Sequence, residues 1–431
     1  MKWKILIVGI LCLGILLKLQ HYTEYPQRGA TSDEYTYAFL GLSLLREKLP
    51  ISWSYFSYPK QYDVTINGTH FPLVFPYFDH PPLAGIITGG WALLRGEDTF
   101  MKVSLATIRL VPIVSTSISA FLLFFLAKNL YGTQVGLWSL VIYSIVPLFV
   151  VSHRVAVSEN ILTALFLAAL LVYTKMKRRF TAKGLFFLSL LSGISFWTKE
   201  SGLAVFVSLF ILLWQDRVKV QTLVRFTAPF FCLVMFYVIY GSLYDGALFW
   251  EIISIQSNRD IGPQTLWYLL STPITINKIY QDGWYYFGFI SAISLLWDRR
   301  HANITLPFFT YLILLVLTLT KEGQSGWYLI PLFPFLAIAA GYSIVTSIEK
   351  RSLYFLMFLL FIGLFLVQQF FVPVFGLVPF QLRLLTAILI VPILFGWRFL
   401  RKNEFQRLAY SWVTLLAFGT IVVTLIYKHP A

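Results

Sequence analysis

Long apolar runs recur from one end of the chain to the other, each bounded by charged or turn-forming residues. They fall at 3–18, 107–127, 134–151, 157–174, 183–197, 202–214, 222–241, 284–298, 304–320, 327–346, 352–372, 381–399 and 409–427. That predicts about thirteen spans, near the length that carries a helix across roughly 30 Å of hydrocarbon. One interval breaks the rhythm. Residues 19–106 separate the first span from the second and hold patterns of their own. After Thr31, apolar residues at Tyr35, Ala38, Phe39, Leu42 and Leu45 keep a helical period, closed by Arg46, Glu47 and Lys48. Leu83, Ile86, Ile87, Trp91 and Leu94 repeat the helical spacing. Two amphipathic helices lying in the membrane interface, apolar face down, are predicted. Between them, residues 50–82 are rich in Pro, Tyr and Phe, which predicts an ordered aromatic loop.

Composition agrees with this pattern. Charged residues make up only 12% of the chain against about 25% in soluble domains, and mean hydropathy is +0.73. The fold class expected is an all-α polytopic membrane protein, a single domain over residues 1–431. The net charge of +15 does not point to nucleic acid, because the basic residues punctuate the spans rather than gather in one soluble region. With the N-terminus placed in the cytoplasm, every expected inner loop is basic. Those loops carry Lys2 and Lys4; Lys128; Lys175, Lys177, Arg178, Arg179 and Lys183; Arg217, Lys219 and Arg225; Arg299 and Arg300; Lys350 and Arg351; and Arg398, Arg401, Lys402 and Arg407. The long loops 19–106 and 242–283 then lie outside, as does the C-terminus. The first span resembles a signal peptide without a cleavage site and reads as a retained helix. Cys12 and Cys232 both fall inside spans and offer no disulfide framework.

Candidate chemistry concentrates on the outer side. Asp33 and Glu34 open the first amphipathic helix, where Thr31 to Glu34 also matches a capping box. One carboxylate can cap while its neighbour accepts a proton from an attacking hydroxyl. Asp79-His80-Pro81-Pro82 leads into the second helix, the prolines holding acid and imidazole on a rigid turn. Asp33, Glu34 and Asp79 are the carboxylates that could hold a divalent ion, though nothing in the sequence requires one and no metal ligand set is assigned. His153, Arg154 and Glu159 fall at one outer helix end, Lys199 and Glu200 at the next, Lys321 and Glu322 at another. Outer cations run against the usual charge bias, and charges there favour a water-filled cavity over lipid. A cation group on that side suits an anionic leaving group. The segment SNRDIGPQ (257–264) reads as a solvated turn or an acceptor-side lid.

In order and in side, these pieces resemble the GT-C membrane glycosyltransferases. The nearest resemblance is to the group that joins protein O-mannosyltransferases and lipid A aminoarabinose transferases. It is carried by DEYTYAFLGLSLL, FDHPPLAGIITGGW, VAVSENILTALF, FWTKESGLAVF and GWYLIPLFPFLAI. It covers a catalytic module of about residues 5–345, with C-terminal helices at about 352–427 beyond it. The resemblance implies transfer of a sugar, with inversion, from a polyprenyl-phosphate carrier to a hydroxyl on the outer face of a plasma membrane. Lipid, glycan and protein acceptors all remain open, and hexosyl and pentosyl transfer alike. It further implies Asp33 as general base with Glu34 beside it. Asp79, His80, Arg154, Glu159 and Lys199 would bind substrate, with Trp327 and Tyr328 lining the donor cavity. Two departures stand out: His80 replaces a lysine common in relatives, and Glu159 an aspartate. A secondary transporter or lipid flippase is the alternative. Internal symmetry, its usual mark, is not visible.

Overall fold

The computed structural model describes residues 2–27, 31, 33–54, 56–59, 63–66, 69–177, 179–257, 283–318, 326–352 and 399–426, with isolated positions between 358 and 388. Lys321, Glu322 and most of 257–264 lie outside the described residues, as do most of the expected spans 352–372 and 381–399. Every other expected span coincides with helix. In chain order these helices are α1 (Lys2–Leu19), then α2 (Asp33–Arg46) and α3 (Leu83–Leu94) in the outer loop, then α4 (Leu105–Ile108) and α5 (Leu110–Tyr131). They continue as α6 (Thr133–Ile145), α7 (Pro147–Ser152), α8 (Ser158–Met176), α9 (Ala182–Thr198) and α10 (Leu203–Gln215). The last are α11 (Val220–Ser257), α12 (Gly283–Ser294), α13 (Ala302–Thr318), α14 (Phe333–Lys350) and α15 (Lys402–Ile426).

Among the described residues, six helical stretches are long and apolar enough to cross a membrane, and several shorter apolar helices pack among them. This makes the chain a multi-pass membrane protein. The expected span at 134–151 is two helices, because Pro147 starts a new one after extended Val146. Helix α14 is the innermost: 89% of its apolar window is buried. Around it the side chains of α5, α6, α8, α12 and α13 form one continuous core.

Three expectations are corrected. First, within a chain that is mostly helical as expected, the aromatic loop of the outer segment contains strands. Residues 50–82 contain a three-stranded antiparallel sheet of β1 (Ser52–Trp53), β2 (Asp63–Ile66) and β3 (Thr69–Val74), with β3 central. Ser52 pairs with Val74, and Val64 with Leu73. Second, α2 is packed on all sides rather than along one apolar face, since every residue from Thr36 to Ser43 is buried. It is pressed onto α3 through glycines. A Cβ on Gly41 would lie 1.8 Å from the Gly85 carbonyl oxygen, and one on Gly89 2.3 Å from the Leu42 nitrogen. Third, the expected loop beginning at 242 is helical through Ser257, as a continuation of α11. That helix bends at Asp245, whose backbone is extended and whose carboxylate accepts a hydrogen bond from the Leu248 N–H at 3.0 Å.

Candidate active site: an outer-loop platform over an amphipathic cavity

The buried charges divide into those that build the platform and those that face the cavity. Glu34 builds. Its carboxylate accepts two parallel hydrogen bonds from the Arg109 Nε and Nη2, each 2.8 Å, and a third from the Ala156 N–H at 3.0 Å. The remaining Arg109 nitrogen donates to the carbonyls of Tyr22 and Pro26 at 2.8 and 2.7 Å. Both side chains are essentially inaccessible. This bidentate pair ties α2, the chain leaving α1 and the start of α5 into one block. Glu34 therefore has no oxygen turned to the cavity, and the capping box forms only by half: the Thr31 hydroxyl accepts from the Asp33 N–H at 3.1 Å.

Arg154 also builds. Its guanidinium donates to the carbonyls of Leu17 (2.7 Å), Lys18 (3.1 Å) and Tyr25 (3.2 Å). Those are the orphan acceptors of the α1 C-terminus and the turn beyond it. His153, next to it, is buried against the Tyr143 ring with centroids 4.6 Å apart. Asp79 is held from within the loop, its oxygens accepting from Ser54 Oγ at 2.5 Å and Tyr58 Oη at 2.8 Å. Burial pushes its carboxyl up to about 6; the Ser54 and Tyr58 hydrogen bonds and the His80 ring oppose that, and the Asp33 charge adds to it. Its backbone carbonyl accepts from the Gln256 side chain at 2.7 Å, which moors the end of α11 to the Asp-His-Pro-Pro turn.

A second group converges. His80 stacks on Tyr37, centroids 5.5 Å apart and planes 20° apart. The Tyr37 hydroxyl is 2.8 Å from Ser158 Oγ, and Ser158 in turn donates to Glu159 at 3.2 Å. Glu159 opens α8, where the helix dipole favours an acid, and its carboxylate pairs with the Lys199 ammonium. Lys199 ends α9 and lies 4.3 Å from the centre of the Tyr328 ring. Asp33 sits one turn before Tyr37 on the same face of α2. It is half-buried, and its carboxylate has no hydrogen-bond partner among the described residues.

Below this platform lies a cavity of about 540 Å³. Its polar end is formed by His80, Lys199, Glu200, Gln256 and Tyr328, and its walls by apolar side chains of α11 and α13, among them Val234, Val238, Leu314 and Leu317. Of the residues singled out in the sequence, His80, Lys199, Glu200 and Tyr328 line it directly, and Glu159 stands behind Lys199. Asp33, Glu34, Asp79, Arg154 and Trp327 do not line it. Among the described residues no three His, Cys, Asp or Glu side chains cluster as metal ligands. Of the carboxylates considered for a divalent ion, Glu34 is committed to Arg109 and Asp79 to two hydroxyls.

Two residues central to this arrangement were not singled out by pattern. Arg109 had a signal, as a lone arginine at the mouth of a long apolar span needs a buried partner. Tyr37 had one too, being four residues after Asp33 on a helix.

The architecture, many membrane helices under a helical outer-loop platform, is similar to that of solved GT-C membrane glycosyltransferases. Residues 79–240 match the family model for dolichyl-phosphate-mannose-protein mannosyltransferase. Among solved structures, ArnT from Cupriavidus metallidurans, bound to undecaprenyl phosphate, superposes with TM-score 0.59 at 14% identity, covering 98% of this chain and 77% of that one. The arabinosyltransferase EmbB from Mycobacterium smegmatis gives 0.57 at 12% identity over 97% of this chain and 40% of that one. The oligosaccharyltransferase AglB from Archaeoglobus fulgidus, in complex with an inhibitory peptide and a dolichol-phosphate, gives 0.52 at 10% identity over 99% and 56%. No curated protein matches the chain by sequence.

Proposed function

We propose that the protein transfers a sugar, with inversion, from a polyprenyl-phosphate carrier to a hydroxyl acceptor on the outer face of the plasma membrane. The observation that carries this reading is the amphipathic cavity, whose lining combines a cation, an imidazole and hydrogen-bonding groups with apolar side chains of membrane helices. A phosphate headgroup attached to a long isoprenoid chain has that same combination. In this reading Asp33 accepts the proton of the acceptor hydroxyl as its oxygen bonds to the anomeric carbon. The bond from that carbon to the phosphate oxygen breaks, and the electron pair leaves with the phosphate. Lys199, oriented by Glu159 and the Tyr328 ring, lies where the departing charge is stabilised. Glu34 and Arg154 hold the platform, and Asp79 sets the turn that carries His80. The bound carriers of the ArnT and AglB structures support a lipid-linked donor. The basic residues at alternate helix ends support a cytoplasmic N-terminus with the platform outside.

The test is transfer of radiolabelled sugar from polyprenyl-phosphate hexose or pentose by purified protein, with a membrane extract as acceptor source. Wild type transfers, and Asp33→Asn loses about 100-fold or more while still binding the carrier. Equal transfer by both would remove Asp33 from the chemistry. If wild type moves no label from any carrier but carries the intact lipid across a bilayer, the transferase reading falls to the flippase one.

A further inference from the structure

The charges around the cavity's polar end do not favour an anion while His80 is neutral. Lys199 is already paired with Glu159, and Glu200 lines the same wall with a carboxylate of its own. From the other packed elements, Asp33 and Tyr37 on α2, Tyr237 on α11 and Asp79 on the turn itself are acids or neutral phenols. Among the described residues, a phosphodiester entering this end meets one cation, already matched, and an excess of negative charge.

Among the described residues, His80 is the remaining group lining the cavity that can change this. Tyr37 fixes the plane of its ring. Its buried Nδ1 has no hydrogen-bond partner among the described residues, and the Glu200 carboxylate, 3.6 Å away, is within ion-pair but not hydrogen-bond distance. The imidazole is the side chain whose charge ordinarily changes between about pH 5 and 8.

We propose that donor binding here is coupled to protonation of His80: the cavity takes a lipid-linked phosphodiester together with a proton, and His80 in its cationic form completes the headgroup site. This rests on the glycosyltransferase reading of the cavity. Its consequence runs in one direction. Affinity is full at a pH where the ring is protonated and falls as pH rises, with a limiting slope of about tenfold per pH unit for one proton. His80 thereby differs from a permanently charged lysine, which would hold the headgroup at every physiological pH.

The probe is the methyl ester of polyprenyl phosphate in nanodiscs. As a phosphodiester it keeps a single charge throughout, whereas a monoester would add its own ionisation near pH 6. Binding to the full chain is measured from pH 5.5 to 8.5 for wild type, His80→Lys and His80→Gln, each first checked for an unchanged melting temperature. The expected result is a pH-dependent affinity for wild type, a pH-independent strong affinity for His80→Lys, and a pH-independent weak one for His80→Gln. If wild type and His80→Lys share the same pH profile, another group such as Asp79 titrates, and the proposal is overturned. Binding that is strong and flat for wild type overturns it as well, while leaving the transferase reading standing. No binding by any form at any pH overturns both.

Discussion

Glu34 and Asp33 are neighbours with opposite commitments. Glu34 has both oxygens engaged by Arg109 or the Ala156 N–H, whereas the Asp33 carboxylate, beside Tyr37, has no hydrogen-bond partner among the described residues. The difference follows from helix geometry, which turns adjacent side chains about 100° apart. Removing charge from Glu34 leaves Arg109 buried without its partner, which costs on the order of 3–5 kcal/mol. Glu34→Gln is therefore expected to lower the melting temperature in detergent sharply, whereas Asp33→Asn leaves it nearly unchanged and removes transfer. If Glu34→Gln melts like wild type, the Arg109 pair is not what holds the platform.

Helices α2 and α3 approach until backbone touches backbone. The glycine of FLGLS on one and the glycines of AGIITGG on the other make that contact possible. Valine at Gly89 would place a Cβ 2.3 Å from the Leu42 nitrogen and 2.5 Å from the Ala38 carbonyl oxygen, and these backbone atoms cannot rotate away. Overpacking of this kind costs on the order of 3 kcal/mol and would part α2, which carries Asp33 and Tyr37, from the turn that carries His80. Gly89→Val is expected to lose both melting temperature and transfer. Gly9→Val, where nothing lies within 4 Å of the added carbon, should lose neither. Equal behaviour of the two variants would show that the close approach is not needed. The small sheet and the end of α11 complete the platform. The Tyr244 hydroxyl donates to the Lys48 carbonyl at 2.8 Å, and Gln256 to that of Asp79 at 2.7 Å.

For the whole molecule, the arrangement of basic helix ends predicts a definite orientation. After serine replaces Cys12 and Cys232, a cysteine at exposed Glu47 should react with a membrane-impermeant maleimide applied to intact cells. One at exposed Arg217 should react only after permeabilisation. The reverse pattern would place the platform, and the proposed transfer, on the cytoplasmic side.

Much of this architecture was legible along the chain. Span length, charge at the helix ends and the two helical periods in residues 19–106 arise from local physics: hydrocarbon thickness, the cost of burying charge, and side-chain periodicity. These determined the polytopic helical class, the helices α2 and α3, and the gathering of Asp33, His80, Glu159 and Lys199 as candidates. What they could not determine was which partner each charge would take. Arg109 lies 75 residues from Glu34, and Lys199 lies 40 from Glu159, so those pairings exist only once the helices pack. Only the tertiary structure turned Glu34 and Arg154 into struts and Asp79 into the anchor of a turn. It also built a sheet where composition suggested an aromatic loop: β2 and β3 are adjacent in sequence, but β1 joins them by pairing Ser52 with Val74, a partner that no local pattern marks. And it set His80 on Tyr37 at the head of the cavity, since a stacking partner 43 positions away in sequence is chosen by the fold and not by the residues on either side.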